Sequence, residues 1–169
     1  MRAEELKVLF EYGNWANKRL FPVVLQLTPE QFTQPVGGQY PSIRDVLVHM
    51  LSAEWGWLSR CGGAQRGPAL QPADYPSAAS VREISSRVEA YVGEFLSRLE
   101  DEDLSRLIEF TNPSGEQRSM PLGELMQHAA MHGVHHRGQI ALVLQWLGYD
   151  PDNVDILLYH AERRGVSAW

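Results

Sequence analysis

The stretch LMQHAAMHGVHHRGQIALVLQWLG, Leu125 to Gly148, holds His128, His132, His135 and His136, four of the chain's six histidines, within nine residues. Neutral imidazole nitrogens are common ligands for first-row divalent ions. Two of them at i and i+4 on a helix lie about 6 Å apart along the axis and can converge on one ion at metal-to-nitrogen distances of about 2.0 to 2.1 Å. Both His128/His132 and His132/His136 have that spacing. Helical rotation separates the two pairs. With about 100° per residue and Leu122 at zero, Leu125, Met126, Ala129, Ile140, Val143, Leu144 and Leu147 fall between about 300° and about 40°, which is the stripe to be buried. His136 falls at about 320°, inside that stripe, and His132 at about 280°, on its margin. His128 and His135 lie further out, at about 240° and about 220°. The stripe therefore favours the pair His132/His136, with His128 and His135 as edge residues.

Two ligands hold a divalent ion weakly, so a site needs a third from another helix. His49, in VLVHMLSAEW, is the leading candidate, because His49, Ala53 and Trp57 form an i+4 row at the flank of a second apolar stripe. Glu54 lies nearer the middle of that stripe, a costly place for a carboxylate without a partner, and is either a supporting group or an alternative ligand. Three imidazoles leave at least one coordination position for water or substrate, as catalytic rather than closed structural sites do. All-nitrogen ligation suits zinc, nickel or copper, which the donor set alone does not rank. Asp45, one turn before His49, could orient that ring.

Less chemical readings apply to the other residues. A single helical histidine near an apolar stripe is commonly just packed and hydrogen-bonded, and His160 reads as a polar position on a terminal helix. Trp15, Trp55, Trp57 and Trp146 read as core or interface packing, and Cys61, at a helix end, as a small filler. Arg137 is either a solvated charge or, beside His136, a group that meets an anionic substrate.

The elements that must position these side chains are helical. Apolar residues recur at three and four from Glu4 to about Leu27, where Pro22 predicts a kink or interruption. Thr28 before Pro29 predicts a short helical turn. After a loop with Pro35, Gly37, Gly38 and Pro41, Ser42 and Asp45 form a capping-box pattern for a second helix that runs to about Cys61 and ends at Gly62-Gly63. Residues 62 to 76 predict a long connection, and a third helix follows from about Ser77 to Leu99. Two short extended runs around Asn112-Pro113-Ser114-Gly115 predict a small hairpin or extended loop. The last core helix starts near Pro121 and ends at Gly148, and DPDNVDILLYHAERR adds a short C-terminal helix. Four long helices, each with one apolar stripe, bury those stripes best against each other, so the fold class is an all-α four-helix bundle in a single domain spanning 1–169.

The totals agree with this. A chain of 169 residues buries roughly two-thirds of its unfolded surface on folding and needs no staple to hold it together. A net charge of −6 with no basic cluster excludes the counterion-release mode of nucleic-acid binding. One cysteine makes no internal disulfide, no apolar run approaches a membrane span, and the first 30 residues carry no signal-peptide pattern, so the expectation is a cytoplasmic protein with no membrane partner.

At MHGVHHRGQIALVLQWLG the sequence resembles the DinB family of metalloenzyme-like proteins, whose last core helix carries a His-x-x-x-His-Arg-Gly-Gln run followed by an apolar segment and a glycine. The likeness extends to YGNWAN, to PSIRDVLVHMLSAEWGWL and to GELMQHAAMH, nearly the whole chain. The resemblance implies an up-down-down-up bundle, a divalent ion held by His49, His132 and His136, and a homodimer. It also implies kinship with transferases and isomerases that use a low-molecular-weight thiol such as bacillithiol or mycothiol. The resulting expectation is a metal-dependent enzyme, a thiol S-transferase or hydrolase-like activity on a small electrophile. The alternatives are a non-catalytic metal-binding stress-response or ligand-binding module, and a metal-free dimeric interaction protein.

Overall fold

Each long apolar stripe becomes a helix in the computed structural model, which describes residues 2–37, 41–63, 69–112 and 114–168. The elements are α1 (Ala3–Val24), α2 (Pro29–Thr33), α3 (Ile43–Cys61), α4 (Ala78–Ser97), the strands β1 (Leu107–Thr111) and β2 (Gln117–Pro121), α5 (Leu122–Trp146) and α6 (Ile156–Arg164). The chain is mostly helical, with one small two-stranded sheet. α3 packs on α4 and α5, and α1 packs on the same two helices. Leu6, Phe10 and Phe21 of α1, Leu47 and Leu51 of α3, Val81 and Val88 of α4, and Leu125, Ile140 and Leu144 of α5 meet in one core. Full burial of a side chain of this size stabilises by roughly 1.5 to 3 kcal/mol.

The helix ends follow their local chemistry. Thr28 caps α2 by accepting from the Gln31 N–H, Ser77 caps α4 through Ser80, and Ser42 caps α3 by accepting from the Asp45 N–H at 3.2 Å. The Asp45 carboxylate takes the Ser42 hydroxyl and Arg44, so it is engaged at the cap. Gly148 sits at φ 86° and donates to the Gln145 carbonyl, while Tyr149 donates to that of Leu144. These are the two bonds of a Schellman end, and a β-carbon at that φ would be strained.

Pro22 does not interrupt α1, which continues to Val24. Two residues from the helix end a proline forfeits one bond of the ladder, and the intact bond from the Leu25 N–H to the Phe21 carbonyl closes the turn beyond it. Leu25 to Leu27, expected within the helix, lie after it in tightened turns.

The extended runs near Asn112 pair as an antiparallel hairpin in the register Leu107↔Pro121 to Thr111↔Gln117, and β2 leads straight into α5. The expected connection from 62 to 76 shows a 3-10 turn at Pro72–Asp74, whereas its residues 64–68 lie outside those described, as do Gly38 and Pro113 of the other loops. α6 docks on α1: Tyr12 donates to the Val154 carbonyl, Tyr159 donates to Glu11, and Arg19 pairs with Asp152 and Glu162. Among the described residues no helix is long and apolar enough to cross a membrane.

Candidate metal centre

α5 turns its four histidines to different surroundings. His136 is 3 % exposed, His132 is half-buried, and His128 and His135 are exposed. The margin of the stripe is thus the line at which imidazoles leave the interior. α3 lies against this side of α5 and delivers the half-buried His49.

The three side chains meet at one point. His132 Nε2 is 3.1 Å from His49 Nε2 and 3.1 Å from His136 Nε2, and the three ligand atoms lie within 4.8 Å of one another. For bonds of about 2.0 to 2.1 Å, nitrogens at neighbouring corners of a tetrahedral or octahedral shell are roughly 2.8 to 3.4 Å apart. The two short edges match that spacing. His132 Nε2 has at most one proton to share between two facing nitrogens, so hydrogen bonding alone satisfies one contact. A cation satisfies both.

Gln139, one turn beyond His136, completes the arrangement. Its Oε1 is 2.7 Å from His136 Nδ1 and accepts that nitrogen's proton, which leaves the Nε2 lone pair directed at the other two rings. Burial, reinforced by the neighbouring His136, His49, His128 and His135, pushes the His132 imidazole down to about 4. Burial also lowers His136, against the opposing pull of its bond to Gln139. For His132 and His136 burial thus favours the neutral imidazole, the state that metal binding requires.

That depression has a measurable consequence in metal-free protein. The unfolded chain takes up a proton at His132 near its ordinary 6.5, whereas the folded site resists until about 4. Between those values the unfolded state binds more protons, so stability falls as pH drops through the window and is insensitive to this group above it. Urea unfolding of chelator-treated protein at about pH 7, 5.5 and 4.5 should show the decline, and His132→Asn should make it shallower. Parallel pH trends for the two proteins would contradict this account.

Among the other sequence candidates, Glu54 stands outside the three-histidine group, so the alternative ligand set is not formed among the described residues. Burial raises its carboxyl above the usual range, against the opposing pull of the Arg137 charge. Arg137 is neither solvated nor placed to meet a substrate from solvent. It is 5 % exposed, donates to Asn17 Oδ1 of α1 and stacks over the Tyr12 ring with Cζ 5.6 Å from the centroid. Trp146 does not pack in the core. It is 70 % exposed, because its angle on α5 matches that of the outward His128. Trp15, Trp55 and Trp57 do pack against the buried clusters. Cys61 is fully buried, and burial pushes its thiol up to about 11, which removes it as a nucleophile.

A cavity of about 510 Å3 opens beside the histidines. His49, Trp57 and Arg60 of α3 form one wall, His132 of α5 another, and Phe110 of β1 with Asn112 after it a third. Trp57 meets Phe110 edge-on at 5.2 Å and His128 at 5.4 Å between centroids. A second cavity, about 300 Å3, lies by Gly62, Tyr91 and Arg106, with no histidine among the described residues that line it. Sequence reasoning missed Gln139 and Phe110. Gln139 was detectable from its i+3 relation to His136, but the hairpin wall depends on contacts across about 50 residues that no local pattern records.

Comparison with known proteins adds an independent line. The DinB family model matches residues 1–165. Protein DinB of Bacillus subtilis is 29% identical over 156 residues, covering 89% of this chain and 91% of that protein. Protein YizA of the same organism is 25% identical over 142 residues, covering 84% and 87%. The crystal structure of a DinB-like protein from Bacillus cereus superposes with a TM-score of 0.73 at 23% identity, over 91% of this chain and 98% of that one, which supports the fold.

Proposed function

The chain belongs to the DinB family, and from that membership and the convergence of three Nε2 atoms we propose that it is a divalent-metal-binding protein acting as a metal-dependent enzyme on a small electrophile, with His49, His132 and His136 as the ligands. One observation carries the reading: nitrogens from two helices stand 3.1 Å from the shared His132 Nε2, the spacing of donors around one ion. A bound divalent ion, such as zinc or nickel, supplies Lewis acidity that lowers the pKa of a thiol or water toward neutrality.

The protein's own contribution is orientation and exclusion of water. Gln139 holds the His136 tautomer, and depressed imidazole basicity at His132 and His136 keeps those two rings neutral. Trp57 and Phe110 present apolar faces where a substrate would displace solvent. A low-molecular-weight thiol is the proposed cosubstrate by analogy with the family. The same proposal includes the up-down-down-up bundle, supported by α1 and α3 each packing across both α4 and α5.

A homodimer is also part of it. Met131, Val134 and Leu142 lie within about 80° on the outward side of α5 and are 46%, 38% and 68% exposed. Sedimentation velocity decides this point, a monomer mass refuting it.

The test of catalysis is a screen of metal-loaded protein with low-molecular-weight thiols against reactive alkyl and epoxide electrophiles. Turnover proportional to protein and abolished by chelation is the expected result. Saturable binding of those compounds with no turnover would reject catalysis in favour of a binding module.

A further inference from the structure

We infer that the cavity beside the three histidines takes an uncharged, apolar arm of about five carbons, carried by the molecule that reacts at the nitrogens, and that Ala53 sets the length of that arm. The inference rests on the metal-site reading only for the reacting end. The arm is argued from the walls.

The floor is laid out by α3. His49, Ala53 and Trp57 follow one another at i+4, and all three line the cavity of about 510 Å3, a volume within the range of small-molecule sites. The side chain between the imidazole and the indole is the smallest of the three, so the groove stays open from the nitrogens to the ring. A larger aliphatic residue at 53 would stand in that path.

The far walls are apolar or already engaged. Trp57 and Phe110 meet at 84° with centroids 5.2 Å apart, a right-angled corner of ring carbon. Arg60 stacks on Trp57 with Cζ 4.8 Å from the centroid. On the hairpin, Asn112 holds Glu116 through both side-chain atoms, its Nδ2 donating to the carboxylate and its Oδ1 accepting from the backbone N–H, each at 2.9 Å. Thr111 Oγ1 accepts from the Gln117 amide at 3.0 Å. A polar arm would compete with these bonds, whereas methylenes displace water from the rings and leave the bonds intact.

Spacing sets the length. Eight residues of helix separate His49 from Trp57, roughly 12 Å along the axis. A bond of about 2 Å to the ion and a contact of about 3.5 to 4 Å at the indole leave roughly 6 Å, the reach of about five carbons.

The probes are straight 1-alkanethiols of two to seven carbons, titrated calorimetrically into zinc-loaded protein. Affinity should rise about threefold per added methylene up to about five carbons and then level off, the gain expected for burying methylenes in a partly open groove. 3-Mercapto-1-propanol, which puts a hydroxyl where 1-butanethiol has its methyl, should bind at least about threefold more weakly than that thiol. Ala53→Leu, which keeps a good helix former, should leave ethanethiol's affinity and the zinc content unchanged and end the rise by about three carbons. Phe110→Ala, on a different element, should make the rise shallower. A rise of less than about 1.5-fold per methylene in the unaltered protein, or one that continues unchanged in both variants, would overturn the assignment. 1-Alkanols of the same lengths, titrated into chelator-treated protein with tryptophan fluorescence as the readout, separate the two readings. A rise there that Ala53→Leu shortens upholds the apolar groove even if no zinc is held, and no rise overturns it whatever the metal analysis gives.

Discussion

Replacing His136 by alanine is expected to lower zinc affinity by more than about 100-fold with the helices still formed. Two nitrogens remain in that variant, His49 Nε2 and His132 Nε2, 3.1 Å apart, and a pair gives up a third of the protein's donors together with the one whose tautomer is fixed. The scale comes from comparison with a residue that only supports a ligand. Gln139→Leu removes the acceptor 2.7 Å from His136 Nδ1 and leaves all three imidazoles, and losses of such outer partners run to roughly 10- to 100-fold. The His136 change should exceed the Gln139 change. His136→Gln guards against a cavity effect at this 3 % exposed position, since it fills the space without supplying the ring nitrogen. Competition against a chromophoric chelator measures all three. Affinities within threefold of the unaltered protein for both His136 variants would exclude the residue from the site.

Arg137→Ala should cost about 3 to 5 kcal/mol of folding stability, the scale seen when one partner of a buried charge arrangement is deleted. The guanidinium is 5 % exposed, and three groups on two other helices have formed around it. Asn17 and Tyr12 of α1 receive its Nη1 and its face, and Glu54 of α3 is the acid whose charge favours its ionised form. Two glycines make the space. A β-carbon on Gly133 would come within 3.1 Å of Arg137 Nη1, and one on Gly13 within 3.6 Å. Truncation empties that space, leaves Asn17 Oδ1 without its donor and strands the Glu54 carboxyl. At roughly 2 to 4 °C per kcal/mol for a chain of this length, the melting temperature should drop by about 6 to 20 °C. Glu54→Gln, which keeps the carboxyl's volume and removes only the charge facing Arg137, should cost less than the Arg137→Ala change. Arg137→Met, which keeps volume and removes the buried Nε that lacks a hydrogen-bond partner, should cost less than the alanine change. An Arg137→Ala protein as stable as the unaltered one would show that the guanidinium merely occupies its place.

Much of the site could be read from α5 alone, because a rigid helix converts sequence separation into angle. About 100° per residue was enough to separate His136 and His132 from His128 and His135, and their exposures follow that order. The same arithmetic places Trp146 with the outward group at about 240° and Arg137 at about 60°, next to the buried stripe, so the exposure of one and the burial of the other were legible by angle. Residue type misled there, since tryptophan suggests a core and arginine suggests water. His49 was reachable as the third histidine of the group through its i+4 row with Ala53 and Trp57, although which helix faces which is a tertiary fact. Pro22 broke no helix because its effect depends on distance from the helix end, which composition does not encode. The wall formed by Phe110 could not be anticipated. It needs the hairpin register Phe110↔Arg118 and the turn at Gly115 with φ 83° to bring β1 against Trp57 of α3.

The most direct test of the three-histidine centre is X-ray absorption at the metal edge of protein purified without an affinity tag, paired with total metal analysis. The account predicts about one divalent ion per chain with three imidazole nitrogens at roughly 2.0 to 2.1 Å and one or more further light-atom positions, and loss of that signal in His132→Ala. Protein that takes up no ion from a stoichiometric supply, or an absorption spectrum with fewer than two imidazole shells that persists unchanged in His132→Ala, would contradict it.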